Sequence, residues 1–408
     1  MSPFFAAFFS ALALQAGYNT ALVSVGAALL GASAGMVGVY VLLRKRSLVS
    51  DAISHATLPG LAAAFLAMAW ATGDGRSVAV LMLGAGVSAW AGLLSVEWIT
   101  RRTRLHEDAA IGAVLSAFFG FGIVLMTVVQ AVGVGGQAGL SSYLLGSTAG
   151  MLRSEAEIIA ALAALAGAAV FALRRPFTLV CFDEGYAGVR GVDVRRVDLA
   201  MMGLVLAVTV IGLRIAGLVL IVALMIIPPV AARFWTDRVG RMVAISAAFG
   251  AGAAYTGAAL SAAGPGLPTG AVIVLVIFAL FLVSMLFSPL RGVLALGLRR
   301  RAFHIALHRR QGLLELARDE RILDPATLSV LRRAGFIRAD GAPTEAGHRA
   351  ARSARRNEAR WELFRRLYPD QAEVHAHHSL DPIKGVLPPD LVADLDRRLG
   401  PEAAGGGR

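Results

Sequence analysis

Along its first 290 residues the chain alternates long uncharged apolar runs with short charged ones. About 20 apolar helical residues cross a hydrocarbon core. Runs of that order fall at 2–43, 52–73 (interrupted only by His55), 77–96, 109–152, 158–173, 199–213, 215–232 and 242–290. The last contains Gly264-Pro265-Gly266-Leu267-Pro268-Thr269-Gly270, a breaker cluster that divides it into two spans of bilayer length. The pattern predicts an all-α polytopic membrane protein with about nine transmembrane helices, eight to ten being compatible with the runs. The weakest is 199–213, short enough to be tilted, re-entrant or lengthened by snorkelling ends. Residues 1–20 are expected to be an N-terminal extracytoplasmic or interfacial segment, and 21–290 the membrane body.

From about residue 291 the pattern becomes that of a soluble domain. Leu313, Leu314, Leu316 and Ala317 form an apolar helical stripe, and Leu328 to Ala334 a second helix. Gly335-Phe336-Ile337-Arg338-Ala339-Asp340-Gly341 predicts strand and turn. A further helix begins after Pro343-Thr344-Glu345-Ala346-Gly347 and runs through Trp361 to Leu367.

Composition agrees with this division. Of 408 residues, 57% are hydrophobic and 16% charged, well below the charged fraction of a soluble domain. Residues 1–290 hold 17 Lys/Arg and 12 Asp/Glu, leaving 22 and 15 for the remainder. Alternate loops of the membrane body also differ in charge. One set carries Arg44, Lys45, Arg46, Arg101, Arg102, Arg104, the basic residues from Arg174 to Arg196, and Arg233, Arg238 and Arg241, fourteen in all; the other carries Arg76, Arg153 and Arg214. Basic loops stay in the cytoplasm, so the first set and the C-terminal domain are expected there. The net charge of +12 follows from this topology and a basic tail, and is poor evidence for a nucleic-acid partner. The first 43 residues carry no basic residue, against a secretory signal peptide. A single cysteine, Cys181, excludes a disulfide framework within one chain. Gly31 and Gly35 illustrate a small-xxx-small spacing that lets membrane helices approach closely.

An ionisable side chain inside a span is costly and is a functional candidate by default. Glu97, Glu107, Asp108, Asp198 and Arg214 lie at segment ends. The exception is Asp51 with His55. Four apart, they share one helix face, and a carboxylate beside an imidazole suits a divalent transition metal. Spacing alone leaves the alternatives open: Asp51 as an anchor paired with Arg44, Lys45 or Arg46, and His55 as a hydrogen-bonding residue. Pro59 has no N–H for the carbonyl of His55, which is then free to face a cavity or ion. Pro228 and Pro229 free the carbonyls of Leu224 and Met225, as a gate or a plain kink. The two lysines, Lys45 and Lys384, do not follow glycine, so the chain has no phosphate-binding loop, and ATP chemistry must come from another polypeptide.

With these residues in hand, the stretch from Leu43-Arg44-Lys45-Arg46-Ser47-Leu48 through Ser50-Asp51-Ala52-Ile53-Ser54-His55-Ala56-Thr57-Leu58-Pro59-Gly60 resembles the permeases of zinc, manganese and iron ATP-binding-cassette importers. So do Glu107-Asp108-Ala109-Ala110-Ile111-Gly112 with Ser116-Ala117-Phe118-Phe119-Gly120, and Ile226-Ile227-Pro228-Pro229-Val230-Ala231-Ala232-Arg233. The resemblance covers roughly residues 19–290. It implies a non-enzymatic permease subunit of the bacterial inner membrane, importing manganese, zinc or iron by alternating access and binding no permanent cofactor. Its implied partners are cytosolic ATP-binding subunits, an extracytoplasmic metal-binding protein and a second permease subunit, within membrane lipid. It further implies that Asp51 and His55 are transport-pathway ligands. It also gives the loop Phe182, Asp183, Glu184, Gly185, Tyr186, Gly188 and Gly191 the role of docking on the ATPase.

The C-terminal domain resembles the winged-helix and dimerisation segments of diphtheria-toxin-repressor-like metalloregulators. The resemblance rests on Leu331-Arg332-Arg333-Ala334-Gly335-Phe336-Ile337, Thr344-Glu345-Ala346-Gly347-His348, Trp361-Glu362-Leu363-Phe364 and Glu373-Val374-His375. Lys384-Gly385 replaces an expected Glu-His pair and Glu358 stands near an expected histidine, so the regulatory metal site is lost or rebuilt. His375, His377 and His378 with Asp381 are the candidate replacement. The segment before Leu328 is short for a complete DNA-reading unit, which favours a docking or dimerisation module. Two other functional classes stay open: an ion-coupled secondary carrier with Asp51 and His55 as a proton relay, and a membrane-tethered metal sensor.

Overall fold

In a computed structural model the chain is described over residues 3–72, 77–132, 150–264, 266–374 and 381–400. It divides into two compact units, Met1–Ala295 and Leu296–Arg408. The helices of the first are α1 (Pro3–Leu12), α2 (Tyr18–Leu43), α3 (Ser47–Thr72), α4 (Val78–Arg102), α5 (Glu107–Val132), α6 (Arg153–Phe182), α7 (Glu184–Val189), α8 (Val194–Ala216), α9 (Leu218–Trp235), α10 (Val239–Ala263) and α11 (Thr269–Phe287). Among the described residues nine of these, α2–α6 and α8–α11, are long and apolar enough to cross a membrane.

The apolar runs locate these helices, and local chemistry sets their ends. The run 2–43 is two helices, not one: Leu14 (φ 59°) and Gly17 (φ 104°) turn the chain between α1 and α2. The Tyr255 hydroxyl of α10 donates to the Leu12 carbonyl at 2.6 Å and pins α1. The weak run 199–213 becomes the full-length α8, because the helix starts at Val194 and takes Arg195, Arg196 and Asp198 into its first turns. A single residue, Gly217, joins α8 to α9 with φ 80° and ψ 167°, a conformation essentially restricted to glycine. Pro59 lies within an unbroken α3, and Pro176 within α6.

Helix α2 packs against α10, α6, α9 and α8, and α3 against α4, α5 and α8. Gly31 and Gly35 bring α2 onto the backbone of Gly250 and Ser246 in α10. The Met225 carbonyl, which Pro229 cannot serve, faces Gly38 of α2: a Cβ there would lie 2.0 Å from that oxygen. The proline pair thus serves helix packing here.

In the second unit, α12 (Val293–Ala317, beginning just before the boundary), α13 (Pro325–Arg333), α14 (Glu345–Leu367), α15 (Pro369–Val374) and α16 (Pro389–Leu399) follow in order, with a 3₁₀ turn at Ile383–Gly385. Asp324 caps α13, accepting from Thr327 N at 2.9 Å. Hydrogen bonds from the Thr327 side chain and backbone hold its carboxyl below the usual range. Leu313, Leu331 and Ile337 form one small core, and Trp361, Phe364, Ile383, Leu387, Val392 and Leu395 another. Beside the second, Arg360 makes a two-pronged contact with Asp396 at 2.8 and 2.6 Å.

The expected winged helix is not found. Among the described residues there is no strand, and the expected hairpin is one antiparallel bridge, Ile337 to Pro343. The reason is local. Between Gly335 (φ 76°), which ends α13, and Thr344, which caps α14 by accepting from Gly347 N at 3.0 Å, the chain makes one tight reversal: Thr344 N–H donates to the Phe336 carbonyl at 2.9 Å and Arg338 N–H to the Ala342 carbonyl at 2.8 Å.

Candidate functional site

Asp51 and His55 lie in the first third of α3, their spacing bringing both side chains to one face. His55 Nε2 is 3.6 Å from Asp51 Oδ1, too long for a hydrogen bond between them. It does match a shared ion: ligand bonds of about 2.1 Å at a tetrahedral angle separate two donor atoms by about 3.4 Å. The His55 ring stands edge-on to Phe119 of α5, with centroids 4.9 Å apart at 84°, which fixes its plane. Its Nδ1 is buried and has no hydrogen-bond partner among the described residues. On the same helix Ser54 donates to the Ser50 carbonyl at 2.8 Å and Thr57 to the Ser54 carbonyl at 2.6 Å.

Close backbone packing holds the rest of α3. A Cβ on Gly60 would lie 2.0 Å from the Gly84 carbonyl of α4, one on Gly92 2.8 Å from the Ala56 Cβ, and one on Gly122 of α5 2.6 Å from the Leu58 Cβ. The pair itself stays partly open, with the Asp51 side chain 36% and the His55 side chain 21% exposed. Among the described residues no group of three or more His, Cys, Asp or Glu could hold a metal ion. Asp51 and His55 thus stand as a pair of donor side chains with no third such group beside them among the described residues.

The loop after α6 contains one short helix, α7. Asp183 caps α7 by accepting from Tyr186 N at 2.8 Å, and Ala187 is buried beneath it. Phe182, Tyr186 and Val189 stay exposed, and Arg190 stacks over the Tyr186 ring at 5.9 Å. Gly191 takes φ 78° where the chain turns toward α8. Gly185 and Gly188 lie within or beside this one short helix.

His375, His377 and His378 lie outside the described residues. Asp381 is exposed, and its main-chain carbonyl accepts from Trp361 Nε1 at 3.1 Å. Glu358 pairs with Arg310 and with Arg365, at 3.4 Å for the latter, so arginines and not a metal satisfy it.

One ion-pair cluster is absent from the sequence reading. Arg44 binds Glu184 of α7 and, at 3.1 Å, Asp198 of α8; Arg46 binds the other oxygen of Asp198 at 2.5 Å and Glu107 of α5 at 2.5 Å. Burial disfavours the Arg46 charge, but Asp198 and Glu107 outweigh it and raise its pKa above the usual arginine value. Arg44 and Arg46 are thus committed to carboxylates other than Asp51. Alternating basic and acidic ends on the expected cytoplasmic side are the only sequence signal for this cluster.

Comparison with known proteins places this scaffold. The chain is 37% identical to the manganese transport system membrane protein MntC of Bacillus subtilis, over 76% of this chain and 70% of that one. It is 36% identical to the zinc transport system membrane protein TroC of Treponema pallidum, over 71% and 95%. It is 29% identical to the chelated iron transport system membrane protein YfeC of Yersinia pestis, over 67% and 88%. Its fold matches PsaBC from Streptococcus pneumoniae, solved with a Fab, with a TM-score of 0.61 at 27% identity, over 72% of this chain and 99% of that one. The model of the ABC 3 transport family matches residues 18–288, from α2 to the end of α11. With the nine spans, the α3 pair and α7 all inside that range, the chain belongs to the ABC 3 transport family.

Proposed function

We propose that this chain is the membrane permease of an importer for a divalent transition metal, manganese, zinc or iron, and that Asp51 and neutral His55 hold the ion in transit. The carrying observation is the pair itself: an imidazole nitrogen and a carboxylate oxygen 3.6 Å apart on a rigidly packed helix of a family scaffold. Two ligands complete a four-ligand site when a second permease subunit brings its own pair. The partial exposure of both side chains leaves room for that.

Catalysis of ATP hydrolysis belongs to separate cytosolic subunits, docked on α7 through the exposed Tyr186 and Val189. An extracytoplasmic protein delivers the ion. Nucleotide binding moves the dock and changes which side of the pair is open. Holding must be modest so that the ion leaves. Charge asymmetry between loops supports a cytoplasmic position for α7 and for the second unit, which we read as a docking or dimerisation module.

The test is metal accumulation in cells lacking the chain, complemented with wild type, Asp51→Ala or His55→Ala. Uptake of one metal should return with wild type only, while the variant complexes still assemble and hydrolyse ATP. Normal uptake by both variants would refute the site. Wild-type uptake that survives ATP depletion but collapses with the proton gradient would mark a secondary carrier.

A further inference from the structure

The linker between α2 and α3 is three residues long, and two of them are arginines tying four elements together. Arg44 reaches α7 through Glu184, α8 through Asp198 and the end of α6 through the Val180 carbonyl at 3.1 Å. Arg46 takes the second oxygen of Asp198 and extends to Glu107, the first residue of α5. Glu184, at the α7 end, is 58% exposed, whereas the groups behind it are largely enclosed. The Arg44 side chain is 9% exposed, and those of Arg46 and Asp198 19% each. At such burial, removing one partner strands the charge of the others, so the cluster moves or breaks as a unit.

The helices it reaches are those that frame the Asp51–His55 pair. α3 starts at Ser47, directly after Arg46, and carries Asp51 one turn further on. α5, held at its first residue, carries Phe119 against His55. Between the arginines Lys45 sits at φ 58°, so the linker turns sharply at one backbone joint. A cavity of about 100 Å³ lined by Arg46, Glu97, Glu107 and Asp198 gives the joint room to rearrange.

We propose that Arg44 and Arg46, with Asp198 as their shared acceptor, are positioning residues that convert movement of α7 into movement of α3 and α5, and so couple ATP hydrolysis to access at Asp51 and His55. This rests on the transporter reading above. A displacement of α7 pulls Glu184 and Arg44. Asp198 passes it to Arg46, and Arg46 passes it to Glu107 and the start of α3.

The test uses the complete transporter, with its ATPase subunits and delivery protein, in proteoliposomes. Metal uptake and ATP hydrolysis are measured in the same vesicles, with the ion the wild type carries, and expressed as ions moved per ATP. Arg46→Gln and Asp198→Asn should each lower this ratio by about ten-fold or more while hydrolysis stays within about two-fold of wild type. A purely structural role would lower both rates together and leave the ratio intact. That result, or a ratio within about two-fold of wild type in either variant, overturns the relay. If Arg46→Gln does not assemble, the isosteric Asp198→Asn decides alone. Wild-type uptake indifferent to ATP counts against the transporter reading itself, whereas ATP-driven wild-type uptake with unchanged variant ratios counts against the relay only.

Discussion

Lys45 occupies a backbone position that glycine ordinarily fills. Its N–H bonds the Leu42 carbonyl and the Arg46 N–H bonds the Val41 carbonyl, both at 3.0 Å, the paired bonds that close a helix with a left-handed residue after the cap. A side chain in that conformation costs about 1–2 kcal/mol. Lys45→Gly should therefore raise thermal stability by about 0.5–1 kcal/mol, less than the full relief because glycine also loosens the unfolded chain. Unfolding of the detergent-solubilised protein measures this, and a lower melting temperature would mean that the lysine side chain contributes more than its backbone costs. At this scale the proximity of Asp51 and His55 was legible, because residues four apart on a helix share a face whatever surrounds them. The partners of Arg44 and Arg46 were not. Asp198 stands 154 and 152 residues away, and only the packing of α8 against α2 and α3 brings it near.

Elements were legible where hydrophobicity alone decides them. All nine spans sit on uncharged runs, since lipid demands an unbroken apolar helix. Their ends were less so, because helices such as α8 continue through charged residues that reach the interface, and the turn between α1 and α2 combines Gly17 with Leu14 at a positive φ that its sequence does not announce. The wing is the clearest case: strand and turn residues are present, but they form only a short reversal around the Ile337–Pro343 bridge, with no strand among the described residues. How elements touch is set by glycines whose sequence context is ordinary. Gly84 and Gly86 differ by two positions, yet a Cβ on Gly84 would lie 2.5 Å from Gly60 O and Ala64 Cβ of α3, and one on Gly86 would meet nothing within 4 Å. Gly84→Val should therefore push α3 off α4, costing about 1–3 kcal/mol and most of the uptake, while Gly86→Val leaves both near wild type. Thermal unfolding and uptake of the two variants side by side check this. Equal behaviour would mean that the α3–α4 contact does not position the Asp51–His55 pair.

For the whole molecule, the odd number of spans, nine among the described residues, puts the two ends of the membrane body on opposite sides. The charge of the loops chooses between the two orientations. Fourteen basic residues against three predict a cytoplasmic position for the α2–α3 linker, α7 and the residues after α11, and an outside position for the turns between α3 and α4, α8 and α9, and α10 and α11. Tyr186 on α7, Leu267 before α11 and Leu323 in the second unit are all exposed and probe these assignments separately. In a Cys181→Ser background, a membrane-impermeant thiol reagent applied to spheroplasts should label Leu267→Cys but neither Tyr186→Cys nor Leu323→Cys until the membrane is opened. The reverse pattern would invert the protein and put the arginine cluster outside, where no ATPase could act on it. Tyr186 and Leu323 are separated by α8, α9, α10 and α11, so they must label from the same side. Labelling from opposite sides would mean that one of those four does not cross. The first suspect is α8, whose apolar run is the shortest and whose first turns carry Arg195, Arg196 and Asp198. An α8 that failed to cross would leave Asp198 without its interfacial depth, and the link from α7 to α3 would lose the carboxylate on which both arginines meet.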